Sequence, residues 1–204
     1  MKKDIIEIIK IVIIFSILIL INNNLVYGIT LNEQLKIKQE AESICISLKD
    51  SCTVKFPISY IPQGYTTYQG EIILSTGLTD YLSYEEVRAV ALHEVGHRVL
   101  KHYKQQDIFL KTWNLDTKKL QSFRHKNEFA ADEFATKYTL ITNTSNNLPQ
   151  ALTRLTAPSK MNMTTITHPS TNSRIEKIKI IESNYYRNLW KINIYNSNIN
   201  QINT

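Results

Sequence analysis

Ser83-Tyr84-Glu85-Glu86-Val87-Arg88-Ala89-Val90-Ala91-Leu92-His93-Glu94-Val95-Gly96-His97 is the stretch on which the reading of this 204-residue chain turns. Ser83 and Glu86 form a capping box: the hydroxyl accepts from a free amide of the first helical turn, and the carboxylate three positions on accepts from the cap's own amide. A helix is therefore predicted from Tyr84 to about Tyr103. Within it, His93 and His97 are four residues apart, which advances a helix by about 400° and puts both imidazoles on one face, one turn apart. Two imidazole nitrogens so placed can reach one metal ion at ~2.0–2.1 Å. Glu94 follows His93 by about 100°, beside the metal and not on it, where a general base stands to take a proton from a water that the metal activates. Gly96 lowers helix propensity by about 1 kcal/mol relative to Ala, so a second backbone is expected to pass close to it.

A catalytic metal needs a third protein ligand. The candidate lies well downstream of His97, in Glu128-Phe129-Ala130-Ala131-Asp132 on a second long helix predicted over about Thr117–Thr139. Glu128 and Asp132 share a face, so Glu128 can ligate while Asp132 fixes a ligand imidazole through its other nitrogen. The small Ala130 and Ala131 allow the two helices to approach. The competing reading is a solvated acidic stripe formed with Glu133.

Outward from these helices, Ile37, Ala41, Ile44 and Leu48 fall on one face of an amphipathic helix over Asn32–Leu48. Val54–Ile61 reads as a strand, and Gly70–Gly77 as a second short one. A polar stretch, Lys104–Asp116, separates the two long helices. The Asn/Pro cluster 143–149 ends the second, Ala151–Leu155 reads as a helical turn and Ala157–Ser170 as a loop. Arg174 to about Leu189 reads as a helix with Ile175, Ile178 and Ile181 aligned, and 196–204 as a disordered, frayed tail. The fold class expected is α+β, mainly helical, with one metal-dependent domain over 29–195.

Met1–Gly28 reads as an export signal. Lys2 and Lys3 precede an apolar run, Ile11–Ile21, broken only by Ser16. As a helix that run covers about 16 Å, roughly half of the ~30 Å hydrocarbon core. Val26 and Gly28 supply the small residues before a cleavage point after Gly28. An uncleaved anchor is the alternative. Both readings put the domain outside the cytoplasm, in the periplasm or secreted, the second with a membrane tether. Cys45 and Cys52 then either pair, closing a short loop, or remain thiols. Net charge is +6, of which +1 belongs to Met1–Gly28. The basic residues are dispersed, so nucleic acid is not indicated, whereas contact with an acidic membrane surface is left open.

Taken together, Gly77-Leu78-Thr79, Leu82-Ser83, Glu86, Val90–His97, His102, Glu128–Asp132, His168-Pro169 and Arg174 resemble the zinc metallopeptidases related to the heat-shock protease HtpX, the CAAX prenyl protease and the Oma-type mitochondrial protease. The likeness spans about Leu35–Ile181. It implies a gluzincin fold with one Zn2+ on His93, His97 and Glu128, Glu94 as base, and Asp132 as the partner of His93. It also implies that the strand Glu71–Ser75 borders the cleft, so that Ile72, Ile73, Leu74 and Ser75 bind an extended polypeptide substrate along a sheet edge. His168 would turn toward the site, donating to the oxyanion or regulating access to the metal, or else be a structural loop histidine. Arg174 would make polar contacts beneath the zinc.

The chain departs from that family at Gly64–Gly70, where an Asn-Ala pair is usual, and lacks its extra membrane spans or repeat domain. His102, about 140° around the same helix from His97, is assigned a packing or capping role. His125, three residues before Glu128, is expected to be exposed, with a place at the cleft mouth as the alternative, and Tyr65, Tyr68 and Tyr81 to pack, with substrate contact as the alternative. Two activities are compatible with this reading: a zinc endopeptidase, and a zinc-stabilised protein that holds extended segments without cutting them.

Overall fold

A computed structural model describes residues 28–112, 116–157, 165 and 167–202. The leader expected over 1–28 lies outside them except for Gly28. Seven helices and one three-stranded sheet make up the described residues: α1 Leu31–Ser47, β1 Thr53–Lys55, β2 Gly64–Thr66, β3 Glu71–Leu74, α2 Thr76–Tyr81, α3 Tyr84–Val99, α4 His102–Thr112, α5 Thr117–Ile141, α6 Leu148–Thr156 and α7 Thr171–Ile202. The fold is α+β and mainly helical, as the sequence predicts.

The capping box of α3 forms: the Ser83 hydroxyl accepts from the Glu86 amide, and Glu86 Oε2 accepts from the Ser83 amide at 2.9 Å. From Glu86 to Gly96 nearly every residue of this helix is buried, because it is covered by α1, α5, α6 and the sheet. α5 lies closest. A Cβ on Gly96 would come within 3.0 Å of Ala131 Cα and 3.1 Å of its carbonyl oxygen, so the glycine admits the second backbone the sequence called for. The core runs from Ile37, Ala41 and Ile44 of α1 through Ile72 and Leu74, Leu92 and Val95, to Ile178 of α7. Leu48 falls outside it, because α1 ends at Ser47 and Lys49 takes a left-handed turn (φ 57°) toward Cys52. Cys45 and Cys52 form a disulfide with Cα atoms 6.0 Å apart.

Several expectations are corrected. The strand predicted over Val54–Ile61 stops at Lys55; Pro57 has no N–H for a ladder, and the chain leaves the sheet to rest on the start of α2. The strand Glu71–Leu74 is central, not an edge: it pairs in parallel with β1 and antiparallel with β2, so the order is β1-β3-β2. α3 ends at Val99 short of Tyr103, because Lys101 turns left-handed (φ 58°) and α4 starts anew at His102. α7 continues to Ile202, past the expected end near Leu189 and through the segment expected as a disordered tail; no Gly or Pro interrupts 171–202. Pro149, read as a helix stop, sits in the first turn of α6, where its missing amide costs nothing.

Candidate metal centre and cleft

α3 and α5 cross where Gly96 meets Ala131, and there His93, His97 and Glu128 converge. His93 Nε2 lies 3.0 Å from His97 Nε2; Glu128 Oε1 is 3.3 Å from His97 Nε2, and Glu128 Oε2 is 3.6 Å from His93 Nε2. These three residues are the group of potential ligands among the described residues, their ligand atoms all within 4.8 Å of one another. Ligands at ~2.0–2.1 Å around a tetrahedral ion are about 3.3 Å apart, so the spacing suits zinc. Two imidazole nitrogens aimed at each other at 3.0 Å need a proton or a cation between them. Glu128 Oε2, buried, makes no hydrogen bond although His168 Nδ1 and Arg174 Nη1 lie 3.0 and 3.3 Å away. The donor set fits a divalent ion.

Each of these potential ligands is held from behind. Asp132, fully buried, sits 2.9 Å from His93 Nδ1 and takes a bidentate pair from Arg174, Nη2 at 2.6 Å and Nε at 2.8 Å. Burial would raise the Asp132 carboxyl, but the Arg174 charge and hydrogen bonds outweigh it and hold the group below its ordinary value. Burial opposes the Arg174 charge in turn, and Asp132 restores it, leaving the guanidinium firmly protonated. Burial also works against ionised Glu128; contacts with His168 and His97 and the charges of His93 and Arg174 overcome it and keep the carboxylate well below the usual range.

His102 was missed by sequence reasoning as part of this cluster. The turn at Lys101 folds it back so that its Nδ1 lies 2.9 Å from His97 Nδ1. If His97 presents Nε2 to a metal, its proton sits on Nδ1 and must be accepted, and only an uncharged His102 can accept it. Burial, then repulsion from His97 and His93, pushes His102 down to about 3. The folded value lies below the ordinary 6.5, so the unfolded chain binds the proton first. The metal-free protein is therefore expected to lose stability as pH falls from about 6.5 toward 3, and His102→Asn to flatten that slope in urea titrations. His102→Leu should weaken metal binding by roughly 10- to 100-fold in chelator competition, with His102→Asn, which keeps an acceptor, recovering most of it.

Glu94 points into the same cleft. The Thr66 hydroxyl on β2 lies 2.9 Å from both Glu94 Oε2 and the Glu94 carbonyl oxygen, a link with no signature in the sequence. The cleft, about 400 Å³, is lined by Gly64, Tyr65 and Thr66 on one side and by Asn127, Glu128 and His168 on the other. Its sheet border is thus β2, an outer strand. Ile72, Ile73 and Leu74 cannot bind substrate as expected: they are buried, and their strand is paired on both sides. Ser75 is also buried and caps α2.

His168 does turn toward the site. The Thr165 hydroxyl accepts from its amide at 2.9 Å, and the His125 ring contacts the Thr165 carbonyl at 2.8 Å. His125 thus supports the loop and does not line the cleft. Tyr65 lines the cleft, whereas the Tyr81 hydroxyl donates to the Arg154 carbonyl.

No curated protein matches the chain. A family model, Peptidase U49, matches residues 78–185, which begins in α2, takes in the whole of α3, α4 and α5, and ends within α7. That match covers just over half of the chain and contains His93, Glu94, His97, Glu128 and Asp132, and with them the chain belongs to the Peptidase U49 family.

Proposed function

We propose that this peptidase is a zinc-dependent endopeptidase of the gluzincin type, akin to the HtpX, CAAX prenyl and Oma-type proteases, that cuts extended or misfolded polypeptides outside the cytoplasm. The observation that carries the reading is the approach of His93, His97 and Glu128 to within 3.0–3.6 Å of one another, with Glu94 on the next helical position. When bound, zinc would polarise the scissile carbonyl and acidify a water. His93, His97 and Glu128 would hold it.

The remaining work falls to the chain. Glu94 takes a proton from the attacking water and delivers it to the leaving amine, so no covalent intermediate with the protein is required. Thr66 aims the Glu94 carboxylate by donating to it. A substrate strand adds to the outer edge of β2 through main-chain hydrogen bonds, which reads backbone more than side chain and favours unfolded segments. His168, at the cleft mouth beside Glu128, can donate to the oxygen that gains charge in the transition state. The Cys45–Cys52 disulfide supports an oxidising compartment, in line with the leader expected over 1–28.

The test is metal content of the purified protein beside His93→Ala and Glu128→Ala, with casein cleavage followed on the same samples. One zinc per chain, lost together with cleavage in both variants, is the expected result; a folded, metal-free and inactive wild type would refute it. Metal bound without cleavage would favour a protein that only captures extended segments. Thr66→Val should lower kcat by about tenfold with zinc content unchanged, since it removes the donor to Glu94 and no ligand.

A further inference from the structure

Phe56-Pro57-Ile58-Ser59-Tyr60-Ile61-Pro62, the link between β1 and β2, exposes three large apolar side chains within one short stretch: Ile58 is 88% exposed, Tyr60 96% and Ile61 66%. No residue from Phe56 to Gly70 carries a charge. Exposed apolar clusters of this kind mark contact surfaces, particularly on a segment that is held rigidly. This one is held. The Gly77 amide donates to the Ser59 carbonyl at 2.6 Å, the Thr76 amide to Pro57 at 3.0 Å, and the Ser75 amide to Gln63 at 3.0 Å. The Ser75 hydroxyl donates to the Ile61 carbonyl at 2.7 Å and accepts from the Gln63 amide, while Thr76 Oγ1 accepts from the Ser59 amide at 2.9 Å. Gly77 is required for this seat, because a Cβ there would come within 2.6 Å of the Tyr60 carbonyl. The backbone is tied inward to α2 and the apolar side chains are turned outward.

The start of the described chain lies at the other end of the same short helix. The Ile29 amide donates to the Thr79 carbonyl at 3.0 Å, and Gly28 lies against Asp80. α2 spans only Thr76–Tyr81, about 9 Å, so the loop and the point where the segment 1–27 joins the domain lie close together. That segment contains the apolar run Ile11–Ile21.

We propose that the Ile58–Ile61 loop is an interfacial membrane contact of the uncleaved chain, inserting Ile58, Tyr60 and Ile61 into the headgroup and acyl boundary of the lipid bilayer that the N-terminal apolar run Ile11–Ile21 would enter. The chemistry matches. Tyr is favoured at that depth with its ring buried and its hydroxyl wet. Pro57 and Pro62 bring no N–H to be left unsatisfied in lipid, the Thr76 and Ser75 hydroxyls accept from the Ser59 and Gln63 amides, and the Gly77 amide donates to the Ser59 carbonyl. β2 follows the loop directly, so this contact would hold the cleft's sheet edge near the membrane surface. The inference stands whether or not the site cleaves peptides.

The experiment places a thiol-reactive NBD fluorophore on the full-length chain at Tyr60→Cys, or at Lys179→Cys on the exposed face of α7, with Cys45 and Cys52 kept oxidised. Each is reconstituted into phosphatidylcholine and into phosphatidylcholine–phosphatidylglycerol vesicles carrying a doxyl-lipid quencher. The expected result is a blue-shifted emission at position 60, quenched at least about threefold more than at 179; Ile58→Cys should repeat it. Equal quenching at 60 and 179 would overturn the proposal. So would a blue shift at 60 in buffer without vesicles, which would show that the leader or a second copy of the chain covers the loop instead.

Discussion

Glu94→Gln is expected to abolish peptide-bond cleavage, by about a thousandfold or more in kcat, while leaving zinc content and thermal stability close to wild type. The amide keeps the size of the carboxylate and can still meet the Thr66 hydroxyl, whose distance to Oε2 is 2.9 Å, but it cannot accept a proton at neutral pH. General base catalysis contributes roughly 10²–10⁴-fold, and here the same group also returns the proton to the leaving amine. The discriminating outcome is the pair of readouts. Loss of cleavage with zinc retained assigns Glu94 to the chemistry; loss of both would mean that the substitution disturbs the helix; and unchanged cleavage would remove Glu94 from the mechanism.

The largest effect on stability is expected from Asp132→Ala. The substitution removes the bidentate partner of the buried Arg174 guanidinium and leaves it only the more distant Glu128 carboxylate, 3.3 Å from Nη1; breaking a buried pair in this way costs about 3–5 kcal/mol. For a domain of this size that lowers Tm by roughly 10 °C. His93 loses its acceptor in the same step, so metal affinity should fall by about 10- to 100-fold. Asp132→Leu with Arg174→Met separates the two consequences: with the buried charge gone, Tm should recover by at least half, while metal affinity stays low because Asp132 no longer fixes the His93 ring. Calorimetry with and without added zinc reads both. A single variant that melts like wild type would show that the pair contributes little.

Much of the site was legible because its parts are local or periodic. His93, Glu94 and His97 follow from a capped helix and a four-residue spacing, and the same geometry pairs Glu128 with Asp132 one turn apart on α5. Gly96 announced a close helix crossing, since a glycine inside a helix is unfavourable unless another backbone needs the space, and Ala131 is that backbone.

The parts that were not legible depend on where the chain turns. On a continuous helix His102 would point well away from the face that carries His97. A left-handed residue at Lys101, which no sequence preference of lysine announces, ends the helix early and swings the imidazole back onto His97. Strand order was equally hidden. Ile72, Ile73 and Leu74 form an apolar run that suits an edge or a centre, and only pairing with β1 on one side and β2 on the other makes their strand central and passes the cleft border to Gly64–Thr66.

Capping and helical period act over a few residues, which is why the helical α+β class and the approach of His93, His97 and Glu128 to one another could be read from residues alone. Which groups stand behind the ligands, and which strand edge faces the cleft, emerged with the folded chain. Asp132–Arg174, Thr66–Glu94 and β1-β3-β2 are contacts between segments far apart in the chain, and their partners are fixed by packing around a shared core rather than by any local preference.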